Sequence, residues 1–142
     1  MIKIADIYKC ELSVKQSLPL YLCRIKAGFP SAADDYLDKK LDLNEFLIKH
    51  PNSTFFVKVQ GDSMIGAGIN SGDIIIVDRS IEPTHNRIIV AELNGEFAVK
   101  RYQKINDKMF LVSENSEYKA IEITQNMNFV VWGVVLHVIH SV

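Results

Sequence analysis

Seven apolar segments after Pro51 constrain the fold more than anything else in the chain: FFVKVQ (55–60), DIIIVD (73–78), RIIVAEL (87–93), EFAVKRY (96–102), KMFLVSE (108–114), KAIEIT (119–124) and FVVWGVVLHVIH (129–140). Each is rich in β-branched or aromatic residues, and Asn, Gly, Asp, Ser or Pro separates it from the next, as in short strands joined by turns. In LNGEF, Asn94-Gly95 stands where a two-residue hairpin turn needs positive φ, which joins the third and fourth segments. The expectation is a mainly β domain of short, twisted antiparallel sheets.

Upstream of Pro51 the pattern changes. Residues 1 to about 24 are broken by Pro19 and show neither a helical stripe nor clean alternation, so they read as an extended arm. Two short helices are expected between 32 and 50. Ser31 with Asp34 supplies one start signal, and Asp42 with Glu45 supplies a second before Leu43, Phe46 and Leu47. The 142 residues suffice for one core. Lys3, Lys9, Lys15, Arg24 and Lys26 oppose Asp6 and Glu11, so the first 27 residues carry net +3 and the remaining 115 carry net −4. An overall charge of −1 offers no basic surface for wrapping nucleic acid.

Cys10 and Cys23 form no CxxC pair and have no metal-ligand spacing, which predicts free thiols in the cytoplasm and no metal or other cofactor. Charges interrupt every apolar run of the N-terminus, unlike a secretion signal. The 12 apolar-rich residues at 129–140 fall short of the ~20 that cross a bilayer, so no membrane association is expected.

One stretch asks for chemistry. In VQGDSMIG (59–66) a strand-like run stops at Gly61, with Ser63 two residues on and Gly66 and Gly68 beyond. Glycines beside a serine usually mark a turn, but they also let a substrate carbonyl reach backbone N–H groups. A serine hydroxyl becomes a nucleophile only with a base in reach and donors for the oxyanion. Among the histidines, His50 precedes Pro51 at a helix end, His85 lies in the polar turn EPTHN, and His137 and His140 fall in the last strand. The other candidate base is Lys100. Alternation puts Glu96, Ala98, Lys100 and Tyr102 on one face, which by itself describes a solvated strand lysine; a lysine base must be neutral, and only a dry site keeps it so.

GDSM (61–64) after a strand, GINSGDIIIVD (68–78) and GEFAVKR (95–101), with the lysine 37 positions after the serine, together resemble the LexA-type self-cleaving serine peptidases. Within that family the match is to the UmuD type, the accessory subunits of translesion polymerases. It spans about residues 27–140 and includes AGFPSAADDYLDKKLDLNEFLIKHP (27–51). The resemblance implies Ser63 as nucleophile, Lys100 as general base, and Ala27-Gly28 as the bond cut. It implies an oxyanion hole of the backbone N–H groups of Ser63 and Asp62 or another loop neighbour. An arm, 1–27, would then be removed from a β-rich peptidase-like domain, 28–142. The implied partners are a second copy in a homodimer, a RecA filament on single-stranded DNA as activator, and a Y-family polymerase subunit (UmuC-like). No sequence-specific DNA contact is implied, since 27 residues broken by Pro19 cannot hold a helix-turn-helix domain.

Asn86-Arg87 stand where such proteins often have Gly-Asp, which puts that turn in doubt, and Ala27 stands where many have cysteine. The side chains of Asp62, Met64 and Ile65 match the motif with packing or loop shaping as their role. The alternatives are a non-catalytic polymerase-binding module of the same fold and a repressor fragment.

Overall fold

The computed structural model describes residues 3–9, 17–21 and 37–142, with side chains from Leu41 onward. The chain divides into two compact units, Met1–Glu11 with His50–Val142, and Leu12–Lys49.

The larger unit is one antiparallel sheet. Its strands are β1 (Lys3–Lys9), β4 (Thr54–Gln60), β5 (Ile74–Asp78), β6 (Ile88–Leu93), β7 (Glu96–Ile105), β8 (Lys108–Val112), β9 (Ile121–Ile123) and β10 (Phe129–Ile139), in the order β1-β4-β5-β10-β6-β7-β8-β9. All seven segments expected after Pro51 are strands, and the mainly β fold class holds. β10 is long enough to pair with β5 through its C-terminal half and with β6 through its N-terminal half, which joins two meanders. Asn94 and Gly95 have φ of 48° and 84°, the doubly left-handed turn that brings Leu93 opposite Glu96.

Two apolar clusters fill the unit. One gathers Val57, Val59, Met64, Ile69, Ile75, Val77, Val90 and Val99. The other gathers Ile89, Ala91, Tyr102, Leu111 and Val134. Successive side chains point to opposite sides of a strand, so Val99 and Tyr102 of β7 feed different clusters and both faces of that strand are covered.

The smaller unit pairs β2 (Ser17–Tyr21) with β3 (Leu37–Asp42), followed directly by α1 (Leu43–Leu47). Two helices were expected here. The second start signal is real: Asp42 caps α1, its Oδ1 accepting the Asn44 N–H at 3.0 Å. Residues 37–42, placed in the first helix by the sequence pattern, are instead a strand. Their backbone groups are taken up by the β2 ladder, a non-local pairing that overrides the weak β preference of LDKKLD. The Ser31/Asp34 signal lies outside the described residues. Among the described residues, no helix is long and apolar enough to cross a membrane.

Candidate active site

β4 ends at Gln60, and the chain turns through Gly61-Asp62-Ser63-Met64 into a 3-10 turn at Ile65–Ala67. Met64 fixes this turn from below: its side chain is in the first apolar cluster, and its carbonyl accepts the N–H groups of Ala67 and Ile69 at 3.0 and 3.3 Å. Met64 thus packs, as expected, whereas Ile65 is half exposed. Ser63 is fully buried.

Lys100 is not the solvated strand lysine that alternation suggests. It is 2% exposed. Ile89 lies opposite it on β6, and Ala98 and Tyr102, its neighbours on the same face, are buried too. Among the described residues, Ser113 and Tyr118 after β8 meet the amine, and Leu111 lines the cleft beside it. Burial lowers the Lys100 pKa below the ordinary lysine value, because the ammonium form loses its water. A cleft of about 290 Å³ opens beside it, lined by Leu93, Asn94, Glu96, Ala98, Lys100, Leu111 and Ile121.

The segment 113–118, following β8, touches both the serine turn and the lysine. Lys100 Nζ donates to Ser113 Oγ and lies 5.4 Å from the centre of the Tyr118 ring. The Tyr118 hydroxyl donates to Asp62 Oδ1 at 2.6 Å, the Asn115 side-chain amide donates to the Asp62 carbonyl at 3.0 Å, and the Gly66 N–H donates to the Glu114 carbonyl at 2.8 Å. Its bond to the Asp62 carboxylate raises the Tyr118 pKa, with burial adding to the effect. Arg101 Nε pairs with the Glu114 carboxylate, fixing the same segment to β7 from the residue beside Lys100. One short stretch therefore sets the turn that carries Ser63 and the environment of the amine.

Gly66 has its explanation here rather than in substrate access. A Cβ at this position would stand 2.6 Å from the Glu114 carbonyl oxygen, inside any tolerable contact. We expect Gly66→Ala to push segment 113–118 off the turn and to destabilise the fold by about 1–3 kcal/mol, as overpacking does elsewhere. Urea denaturation measures this, and an unchanged midpoint would show that the segment is free to shift.

Three histidines are engaged elsewhere. His85 Nδ1 accepts the Lys104 N–H at 3.0 Å, while His50 and His140 bond Asp78 and Asp73, each at 2.6 Å. The doubtful turn at Asn86-Arg87 is well formed: Asn86 adopts φ of 71°, a left-handed conformation that asparagine tolerates better than most residues, and its N–H donates to the Tyr102 carbonyl at 2.8 Å. Ala27 and Gly28 lie outside the described residues. Sequence reasoning missed Ser113 and Tyr118, since a serine and a tyrosine just past a strand carry no signal until the strand order brings them to Lys100.

The family model described as Peptidase S24-like matches residues 19–136. Protein ImpA of Salmonella typhimurium is 42% identical over 123 residues, 86% of this chain and 83% of that protein. Protein SamA of Salmonella typhimurium strain LT2 is 41% identical over 128 residues, 90% of this chain and 89% of that protein. The LexA repressor of Shewanella piezotolerans is 31% identical over 129 residues, 90% of this chain but 62% of the repressor. With the family model spanning most of the sequence and relatives matched nearly end to end, the chain belongs to the Peptidase S24-like family, as a protein of the UmuD type.

Proposed function

We propose that the chain is a self-cleaving serine peptidase of the SOS DNA-damage response that cuts its own Ala27-Gly28 bond. Ser63 is the nucleophile and Lys100 its general base. The observation that carries this reading is the burial of Lys100: an amine kept from water, with its proton affinity lowered, can take a proton from a serine hydroxyl near neutral to alkaline pH.

In this scheme the neutral amine takes the Ser63 proton as Oγ attacks the Ala27 carbonyl carbon. Backbone N–H groups of Ser63 and Asp62 face the developing oxyanion. Collapse expels the Gly28 amine, which receives the proton from Lys100, and water then hydrolyses the Ser63 ester with Lys100 again as base. Small residues on both sides of the bond let the main chain enter a narrow cleft. Tethering replaces affinity, so a modestly reactive dyad suffices.

Cleavage removes net +3 and leaves the acidic 115 residues to find different partners. The truncated protein homodimerises in the cytoplasm and serves a Y-family polymerase as accessory subunit. A RecA filament on single-stranded DNA favours the cleavable pose and contributes no catalytic group.

Intact mass measured across a pH series tests the reading. A fragment of residues 28–142 should accumulate, faster as pH rises toward 9–10, because each step deprotonates more Lys100. A histidine base with pKa near ~6.5 would give a rate already level above about pH 7.5. A level profile would remove Lys100 from its role, and absence of the fragment with or without RecA filament would leave a non-catalytic binding module.

A further inference from the structure

We infer that Ser113 is a positioning residue for Lys100: its hydroxyl accepts one Nζ–H and so turns the amine to present its lone pair to Ser63. This rests on the Ser/Lys reading above and adds a third side chain to it. A neutral lysine amine has two N–H groups and one lone pair, at the end of a stem with four rotatable bonds. Left alone, it would point that lone pair toward the serine only part of the time. An acceptor fixed in space removes the freedom. Ser113 is such an acceptor: it is 8% exposed, and its segment is fastened to the serine turn through Asp62 and Gly66. The element that sets the nucleophile's turn thereby sets the base.

The bond also outlasts proton transfer. Once Lys100 is an ammonium, donation to Ser113 becomes charge-assisted and about twice as strong, so the hydroxyl steadies the charged form that burial opposes. Among the described residues, the other polar groups around the amine include Asn94, which lines the cleft. β7 brings the Glu96 carboxylate to the same cleft, and segment 113–118 brings the Tyr118 ring, whose hydroxyl is held by Asp62 of the serine turn. The Glu114 carboxylate is engaged by Arg101, while β6, β8 and β9 present Ile89, Leu111 and Ile121.

Deleting the hydroxyl should therefore act in two separable ways. In Ser113→Ala the plateau rate of self-cleavage should fall about 10–100-fold through lost orientation, at or below the low end of the range ascribed to the proton-transfer group itself, since Lys100 is still present. The midpoint of its pH–rate profile should move to lower pH by about one unit, because the ammonium loses a partner. Ser113→Thr keeps the hydroxyl and should restore both. Slower cleavage with an unmoved midpoint, or a threonine variant no better than alanine, would overturn the inference and leave Ser113 a packing residue.

A second readout does not need cleavage at all. In the intact Ser63→Ala chain, the Lys100 side-chain carbon resonances titrate with pH, and Ser113→Ala should lower that midpoint while Ser113→Thr should not. An unchanged midpoint overturns the role of Ser113 whatever the cleavage assays give. Should the Ser63→Ala chain still cut itself, the dyad reading falls, and the resonance titration still decides what Ser113 does to Lys100.

Discussion

Lys100→Met is expected to abolish self-cleavage, by at least about a thousandfold, and at the same time to stabilise the protein. The first effect follows from removing the only proposed acceptor for the Ser63 proton. The second follows from what it costs to fold around that acceptor. A lysine 2% exposed must shed either its hydration or its proton, and its lowered pKa records the balance. The π face of Tyr118 at 5.4 Å returns roughly 0.5–2 kcal/mol to the ammonium and the bond to Ser113 adds to it, yet the pKa stays lowered, so desolvation outweighs both. Methionine fills similar volume without a charge to bury.

The sign of the pH dependence gives a second handle on the same variant. Between its lowered folded pKa and the ordinary lysine value of 10.5, Lys100 holds fewer protons folded than unfolded. Stability must therefore rise with pH across that window, and the penalty is present in full below it. Lys100→Met should remove this slope, so its advantage over the unmodified chain should be greatest near pH 7 and shrink toward pH 10.5. Urea midpoints at several pH values would check this. A constant difference, or a methionine variant less stable than the parent, would mean that Lys100 folds with its charge adequately met, and the dry-site argument would fail with it.

Lys100 also shows where sequence reading stops. The seven strands after Pro51 are local features, written in β-branched runs and in turn residues such as Asn94-Gly95, and each is found in place. The cap at Asp42 is equally local. Which strand lies beside which is not: LDKKLD (37–42) reads as helix by itself, and its pairing with β2 makes it a strand. The same holds at the site. Gly61, Ser63 and the distance to Lys100 along the chain mark out the motif, yet alternation alone could not say that the face holding Ala98, Lys100 and Tyr102 is covered. That coverage comes from β8 and from residues 113–118, which meet Lys100 only because β7 and β8 are neighbours. Ser113 was invisible for that reason, and so was the demand on Gly66 from the Glu114 carbonyl.

Asp78→Ala is expected to lower stability by about 3–4 kcal/mol, a loss typical of breaking a buried polar network. Asp78 closes β5 with its side chain fully buried, and four donors surround it. Its Oδ1 accepts from Ser53 Oγ, the Ser80 N–H and Ser80 Oγ at 2.8, 2.9 and 2.7 Å, and its Oδ2 accepts from His50 Nδ1 at 2.6 Å. Burial would raise the carboxyl pKa, but the bonds from Ser80, His50 and Ser53 outweigh it and bring the value down to about 2. Because the folded pKa lies below the unfolded one, Asp78 stabilises fully above about pH 4 and loses that contribution as pH falls through about 2. The alanine variant should therefore lose most of its deficit at pH 2, which acid-limb urea titrations would reveal. A deficit under about 1 kcal/mol at pH 7 would show that the four donors find water instead. This anchor ties the His50–Ser53 turn to the start of β4, where Thr54 pairs with Asp78. Ser63 lies beyond the other end of that strand, seven residues at about 3.3 Å each. Below the unfolding transition, then, Asp78→Ala should cut itself at nearly the parental rate, whereas Gly66→Ala, which disturbs the serine turn itself, should not.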